Sequence, residues 1–212
     1  MLYTSYLANK LVDFLIRAQS FTPPTTTLSV GMLTTTKGPR ANSTVYATND
    51  TISLTANDGK THLYKCTTGG TSAAAQSTLY PGVNGEAIAD GTATFTEQAA
   101  AIRAGTAVEA SYTGYARSNT AGSLANWAGT QGSGTTVAST GTSVPTTSNN
   151  GTMTFGSSAT SGPSFVWALA AFDATSAGNM LFVEPLTTVK TINNGDPAPT
   201  VAAAGMSLSI DN

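Results

Sequence analysis

Catalysis needs nucleophiles, bases or metal ligands brought together, and this 212-residue chain holds few: one histidine, His62, one cysteine, Cys66, and 11 Asp and Glu residues. His62 and Cys66 sit four residues apart, so on a strand both side chains point to the same face. A thiol–imidazole dyad would also need an orienting partner and an oxyanion hole, so the plain reading is a solvated strand histidine beside a small buried thiol. An intermolecular disulfide through Cys66 stays open. Two carboxylates can cleave a glycosidic bond, and Asp173 and Glu184 flank one predicted hairpin. Asp173 stands at the turn entrance, however, where Asp commonly binds backbone amides. The run Gly31-Met32-Leu33-Thr34-Thr35-Thr36-Lys37 lacks the glycine before lysine and the following helix that a phosphate cradle requires. No Gly-x-Ser-x-Gly elbow surrounds a serine, one cysteine makes no zinc site, and Asp58, Asp90 and Asp196 fall in no spaced calcium-loop run. The expectation is a protein with no catalytic residue, metal or cofactor.

Composition points the same way. Charged residues make up 9% of the chain, against roughly 25% in an ordinary soluble domain. Thr, Ser, Gly and Ala fill the gap, which suits a protein packed into an assembly. The net charge is −2 and the nine Lys and Arg are scattered, so electrostatic binding to nucleic acid or an anionic membrane is not expected. Asn9, Lys10 and Asp13 interrupt any signal-peptide core, and no apolar run reaches a membrane span. The expected product folds in the cytoplasm where it is made.

The elements that must position these residues are mostly strands. Leu7, Leu11, Phe14, Leu15 and Ala18 follow helical spacing over residues 5–19, with Thr4 or Ser5 as cap and Pro23-Pro24 beyond. Such a helix must cover its stripe against a sheet or a neighbouring subunit, which makes Leu7, Leu11, Phe14 and Leu15 candidate subunit contacts. Thr27–Met32 alternates as a half-buried strand. Short strands are expected at 44–46, 51–54, 62–67, 92–96, 108–115 and 151–155, with one or two helical turns in 97–103 and a long loop over 129–150. Phe165–Phe172 is an almost unbroken apolar run, as in a strand buried on both faces; 180–183, 189–192 and 206–210 follow it. The fold class is mainly β: an antiparallel β-sandwich or jelly-roll-like domain (1–37 and 99–212) with a short helix and a small inserted β-hairpin module (38–98). Tyr46, Tyr64, Tyr80 and Phe95 lie in that module. They could stack on a host glycan, but in so small a module such rings are more often its core.

Two blocks carry a resemblance. The first is Tyr6-Leu7-Ala8-Asn9-Lys10-Leu11-Val12-Asp13-Phe14-Leu15-Ile16-Arg17 with Phe21-Thr22-Pro23-Pro24-Thr25-Thr26-Thr27-Leu28. The second runs Ala170-Ala171-Phe172-Asp173-Ala174-Thr175-Ser176-Ala177-Gly178-Asn179-Met180-Leu181-Phe182, then Leu186 to Asp196. Gly151-Thr152-Met153-Thr154-Phe155 and Gly114-Tyr115-Ala116-Arg117 fit between them. Over residues 6–33 and 108–212 the chain resembles small bacteriophage virion proteins usually labelled phage tail fibre proteins. Residues 38–98 are distantly similar to chitin-binding-type phage modules, although the tryptophan near the module's last position is Phe95 here.

The resemblance implies a virion structural protein, exposed on the particle and bound to major capsid protein or tail components. A chain this short, without heptads or repeats, fits a capsid decoration (cement) protein, often a homotrimer, better than a fibre shaft. A tail fibre, appendage or adaptor touching the host surface is the alternative.

Overall fold

The computed structural model describes residues 2–76, 80–82, 85–140 and 145–209. Its organising element is Ser164–Phe172, in which every residue from Val166 to Phe172 is buried. A strand apolar on both faces needs a neighbour along each edge and a layer above and below. Ser29–Thr35 and Met180–Ile192 flank it antiparallel, and two-residue strands, Leu2–Tyr3 and Ser118–Asn119, close the five-stranded sheet. The fold is mainly β and antiparallel, a β-sandwich in which no sheet closes on itself.

One face of the sheet presents Val30, Met32, Val166 and Leu169 to a core completed by Tyr112, Met153, Phe155, Ile192, Met206 and Leu208. Two ribbons hold those covering segments together: Met153–Thr154 with Thr200–Val201, and Thr146–Ser148 with Ser207–Ser209. The opposite face presents Leu33, Trp167, Ala168, Ala170, Phe172 and Val183, and meets Leu63 and Ile102.

Leu63 belongs to a four-stranded sheet ordered Thr51–Thr55, Thr61–Thr68, Ala93–Glu97, Ala87–Asp90. Its core of Tyr46, Ile52, Leu54, Tyr64, Cys66, Tyr80, Ala93 and Phe95 comes wholly from residues 46–95. A buried ion pair anchors this layer. Arg40 Nε donates to Asp90 Oδ2 at 2.7 Å and Nη2 to Oδ1 at 3.0 Å, with 2% and 0% of the side chains exposed. The Tyr80 hydroxyl and the Ala73 amide also donate to Asp90, at 2.7 and 3.0 Å, and Arg40 reaches the carbonyl of Ala73 and the side chain of Asn42. A buried charge persists when its lone pairs and protons are used in this way.

Several elements depart from expectation. The helix spans Ser5–Ile16, not 5–19: Ala18 takes the left-handed φ of +54°, and the Arg17 and Gln19 amides both donate back to Asp13 O. Residues 108–115 form no strand; they follow Ser29–Thr35 only as far as Ala110, whose amide donates to Met32 O, and then turn at Tyr112–Tyr115. The strands expected at 180–183 and 189–192 are one, Met180–Ile192. Val166 pairs with Lys190 and Ala168 with Pro185, so Leu186–Val189 bulge opposite the single residue Trp167. The last strand is Ser207–Ser209, and Ile210 lies outside the described residues, as do 141–144 of the expected loop.

Asp90→Ala leaves Arg40 charged and buried and is expected to cost about 3–5 kcal/mol in urea unfolding. Burial opposes the Asp90 charge but is outweighed by Arg40, Tyr80 and the Ala73 amide, which hold its carboxyl below the usual range. The pair's contribution is thus present above the unfolded carboxylate pKa, near 3.9, and lost as pH falls through the lower folded value. An acid-unfolding midpoint that does not move in Asp90→Ala would contradict this assignment.

Candidate functional site

Tyr46, Tyr64, Tyr80 and Phe95 are all buried, at 2% exposure or less. Tyr46 meets Phe95 edge-on at 5.2 Å, and Tyr64 meets Tyr80 edge-on at 5.1 Å. The hydroxyls are engaged inside the protein: Tyr46 accepts from the Ala41 amide at 2.8 Å, Tyr64 donates to Pro81 O, and Tyr80 donates to Asp90. The rings form a core and present no face to a sugar.

His62 is not the solvated strand histidine expected. Nδ1 lies 3.1 Å from Glu97 Oε1 and Nε2 3.1 Å from Asp58 Oδ2, so both ring nitrogens meet carboxylates. Glu97, itself buried, also accepts the Ala99 amide at 2.8 Å and so fixes the short helix Ala99–Arg103 behind the strand. Asp58 belongs to the turn leading into Thr61–Thr68 and also accepts the Lys60 amide. The clamp therefore joins a turn, a strand and a helix start. Cys66 is buried and donates to Thr68 O at 3.2 Å, while burial raises its thiol pKa. Neither group is available to the other as a dyad.

Asp173 holds a turn. Its Oδ1 accepts the Asn179 amide at 2.7 Å and Oδ2 accepts Asn179 Nδ2 at 2.8 Å. Glu184 pairs in register with Leu169, four residues before Asp173. At ~3.3 Å per residue the two backbone positions are offset by roughly 13 Å along the strand, and both Asp173 oxygens are engaged by Asn179. Among the described residues, no group of three metal-ligating side chains converges, and no helix is long and apolar enough to cross a membrane.

The site that sequence reasoning missed surrounds Arg117. Its guanidinium lies 3.4 Å over the Phe172 ring, binds Glu109 twice (2.8 and 2.7 Å), and donates to Ala174 O and Ala177 O at 2.7 Å each. The Tyr115 hydroxyl donates to Glu109 at 2.6 Å and accepts the Met32 amide at 3.0 Å. Gly31 is required beneath: a Cβ there would come within 2.8–2.9 Å of Phe172, the Tyr115 hydroxyl and Glu109. One network ties residues 109–117 to the 173–179 hairpin and to the strand through Gly31. The signal available was the joint presence of Gly114-Tyr115-Ala116-Arg117 and the hairpin block.

The helix lies on the surface and leans on the protein by one side. None of its residues is buried; Tyr6, Leu7, Lys10, Leu11 and Asp13 are half-covered, while Val12, Phe14, Leu15 and Ile16 are 53%, 49%, 69% and 79% exposed. Of the four expected contact residues, Leu7 and Leu11 lean on the protein and Phe14 and Leu15 face out.

The family described as Podophage GP4 fiber I protein gp80 matches residues 57–209, well over half of the chain. The chain belongs to this podophage fibre family. It is accordingly a bacteriophage virion structural protein, and the matched span takes in the Arg117 network, its hairpin and the His62 clamp. The fibre family's span opens at Asn57, inside the stretch expected as an insertion. No curated protein matches the chain.

Two outcomes test this geometry. Glu97, then Asp58, raise the His62 pKa against the opposing effect of burial, with Lys60 beside Asp58 and Tyr64 and Glu86 nearby. As the chain's one histidine, it should show a single imidazole titration above 6.5 by NMR, falling in Glu97→Gln. The clamp's contribution to stability is full below pH ~6.5 and lost as pH rises through the folded value. Separately, Gly31→Ala should destabilise by about 1–3 kcal/mol through overpacking against Phe172 and Tyr115. Unchanged chemical denaturation would show that this packing is looser than drawn.

Proposed function

We propose that this chain is a subunit of a podophage tail fibre or tail appendage, that it acts by gripping other virion proteins, and that it catalyses no reaction. The observation that carries the reading is the fibre-family match over 57–209. The geometry supports it: the groups with chemical potential are spent on structure. His62 is held between two carboxylates, Cys66 is buried, Asp173 closes a turn, and Arg117 clamps two loops. The reading includes homo-oligomerisation, as a trimer.

The shell-clamping role expected from a short, compact chain without heptads or repeats rested on the absence of a shaft, which a subunit of a composite appendage does not need. Nothing in the fold favours the shell over the tail. Host contact, if this protein makes it, does not use the four buried rings.

Immunogold labelling of purified virions, with quantitative mass spectrometry against the major capsid protein, tests the location. Labelling at the tail with far fewer copies than the major capsid protein is expected. Shell-wide labelling in near-capsid stoichiometry would replace the tail reading with the cement reading.

A further inference from the structure

An imidazole held between two carboxylates can donate to both only as a cation. His62 lies 3.1 Å from Glu97 Oε1 through Nδ1 and 3.1 Å from Asp58 Oδ2 through Nε2. The neutral ring carries one N–H, so its other nitrogen then turns a lone pair toward a carboxylate. One of the two bonds must fail when the proton leaves. The carboxylates differ in how they bear that loss. Glu97 is 1% exposed and its second oxygen is already committed to the Ala99 amide at 2.8 Å, so losing the imidazole would leave a buried charge under-satisfied. Asp58 is 38% exposed, keeps the Lys60 amide at 3.0 Å, and can exchange the imidazole for solvent.

From this we infer that His62 is a one-sided latch: on losing its proton it keeps Glu97 through Nδ1–H and lets go of Asp58, freeing the turn at 56–60 while the helix start stays fixed. The other charged and titratable groups around the ring do not reverse the choice. Lys60, beside Asp58 on the turn, steadies the Asp58 charge whether or not the imidazole is bound. Tyr64 follows on the same strand with its ring centre 6.4 Å from that of His62, and Glu86 lies near Tyr64. Glu184 lines the same cleft as His62 from Met180–Ile192. As anions, Glu86 and Glu184 favour the charged ring and so act on the midpoint, not on which nitrogen keeps its proton.

The turn that is released is lightly held. Within it the Ala56 amide donates to Lys60 O and the Gly59 amide to Ala56 O; outward, the Asn57 amide donates to Tyr80 O at 3.2 Å. Gly59 and Lys60 form one wall of a cleft of about 390 Å³ whose opposite wall is 184–187. Thr61 crosses this seam between the four-stranded and main sheets, donating to Leu186 O at 3.4 Å. Opening the latch therefore loosens one wall of the seam, whereas Leu63 and Ile102 keep their places under the central strand. The inference concerns the subunit alone and stands whichever virion position the chain occupies.

Solution NMR of the full-length wild type and of Asp58→Asn tests it. Above the imidazole titration, the ring nitrogen-15 shifts should show Nδ1 protonated and Nε2 bare. Backbone heteronuclear NOEs at 58–60 should fall through the same midpoint while the Ala99 amide, held by Glu97, stays unchanged. In Asp58→Asn the carboxamide can donate to the bare Nε2, so the turn should be as ordered above the titration as below it. A dominant Nε2–H tautomer, an even mixture of the two, or an Ala99 amide that loosens together with the turn would overturn the inference. So would a turn whose order ignores pH in the wild type, or follows it equally in Asp58→Asn.

Discussion

Covering both faces of Ser164–Phe172 is the constraint from which the architecture follows. A strand buried from Val166 to Phe172 cannot exist until a layer lies on each side of it, and the chain supplies those layers from different parts of its length. Residues 110–159 and 192–208 give one layer, drawn together by two short ribbons. Leu63 and Ile102 give the other: Leu63 O accepts the Gln98 amide, and the neighbouring Glu97 holds the first turn of the helix that carries Ile102. The His62 clamp is thus a support for the underside of the sheet, two contacts removed from the central strand.

The Arg117 network solves a related problem at the end of the same strand. The 173–179 turn is rich in small residues and has little apolar area with which to hold itself down. A guanidinium stacked on Phe172 and donating to two turn carbonyls fixes it through charge-assisted bonds, which are stronger than neutral ones. Glu109 neutralises the cation and accepts Tyr115, whose hydroxyl reaches the strand amide of Met32. Lysine in place of Arg117 would lose the planar stack and the paired bonds together.

How much of this the sequence discloses depends on whether the cause is local. The central strand is legible because burial on both faces leaves an unbroken apolar run, and the helix because its period and its Thr4 cap are local. The aromatic cluster was assigned to a core for its small module, and each of its rings is buried. Other features have no local signature. Arg40 and Asp90 meet across fifty residues, and neither has a charged neighbour in sequence that marks it. Thr146–Ser148 and Thr200–Val201 are hydroxyl-rich, too short for periodicity, and strands only because of their partners. The stretch 108–115 alternates like a strand but must turn: Gly114 takes φ +103°, and a Cβ there would meet Ser158 O at 2.4 Å.

The helix remains the exception to an otherwise self-satisfied structure. Elsewhere the fold blunts its sheet edges, with two-residue strands at both ends of the main sheet and a proline and a bulge along Met180–Ile192. Val12, Leu15 and Ile16 on the outward side of the helix are 53%, 69% and 79% exposed, although Ser, Thr and Asn are abundant throughout the sequence. The inward side mixes Tyr6, Leu7 and Leu11 with Lys10 and Asp13, and each is only half-covered. What holds the helix in place is its start, where Thr4 caps it and donates to Met180 O on the main sheet, so a local cap and one long-range hydrogen bond do the work that a buried stripe does elsewhere.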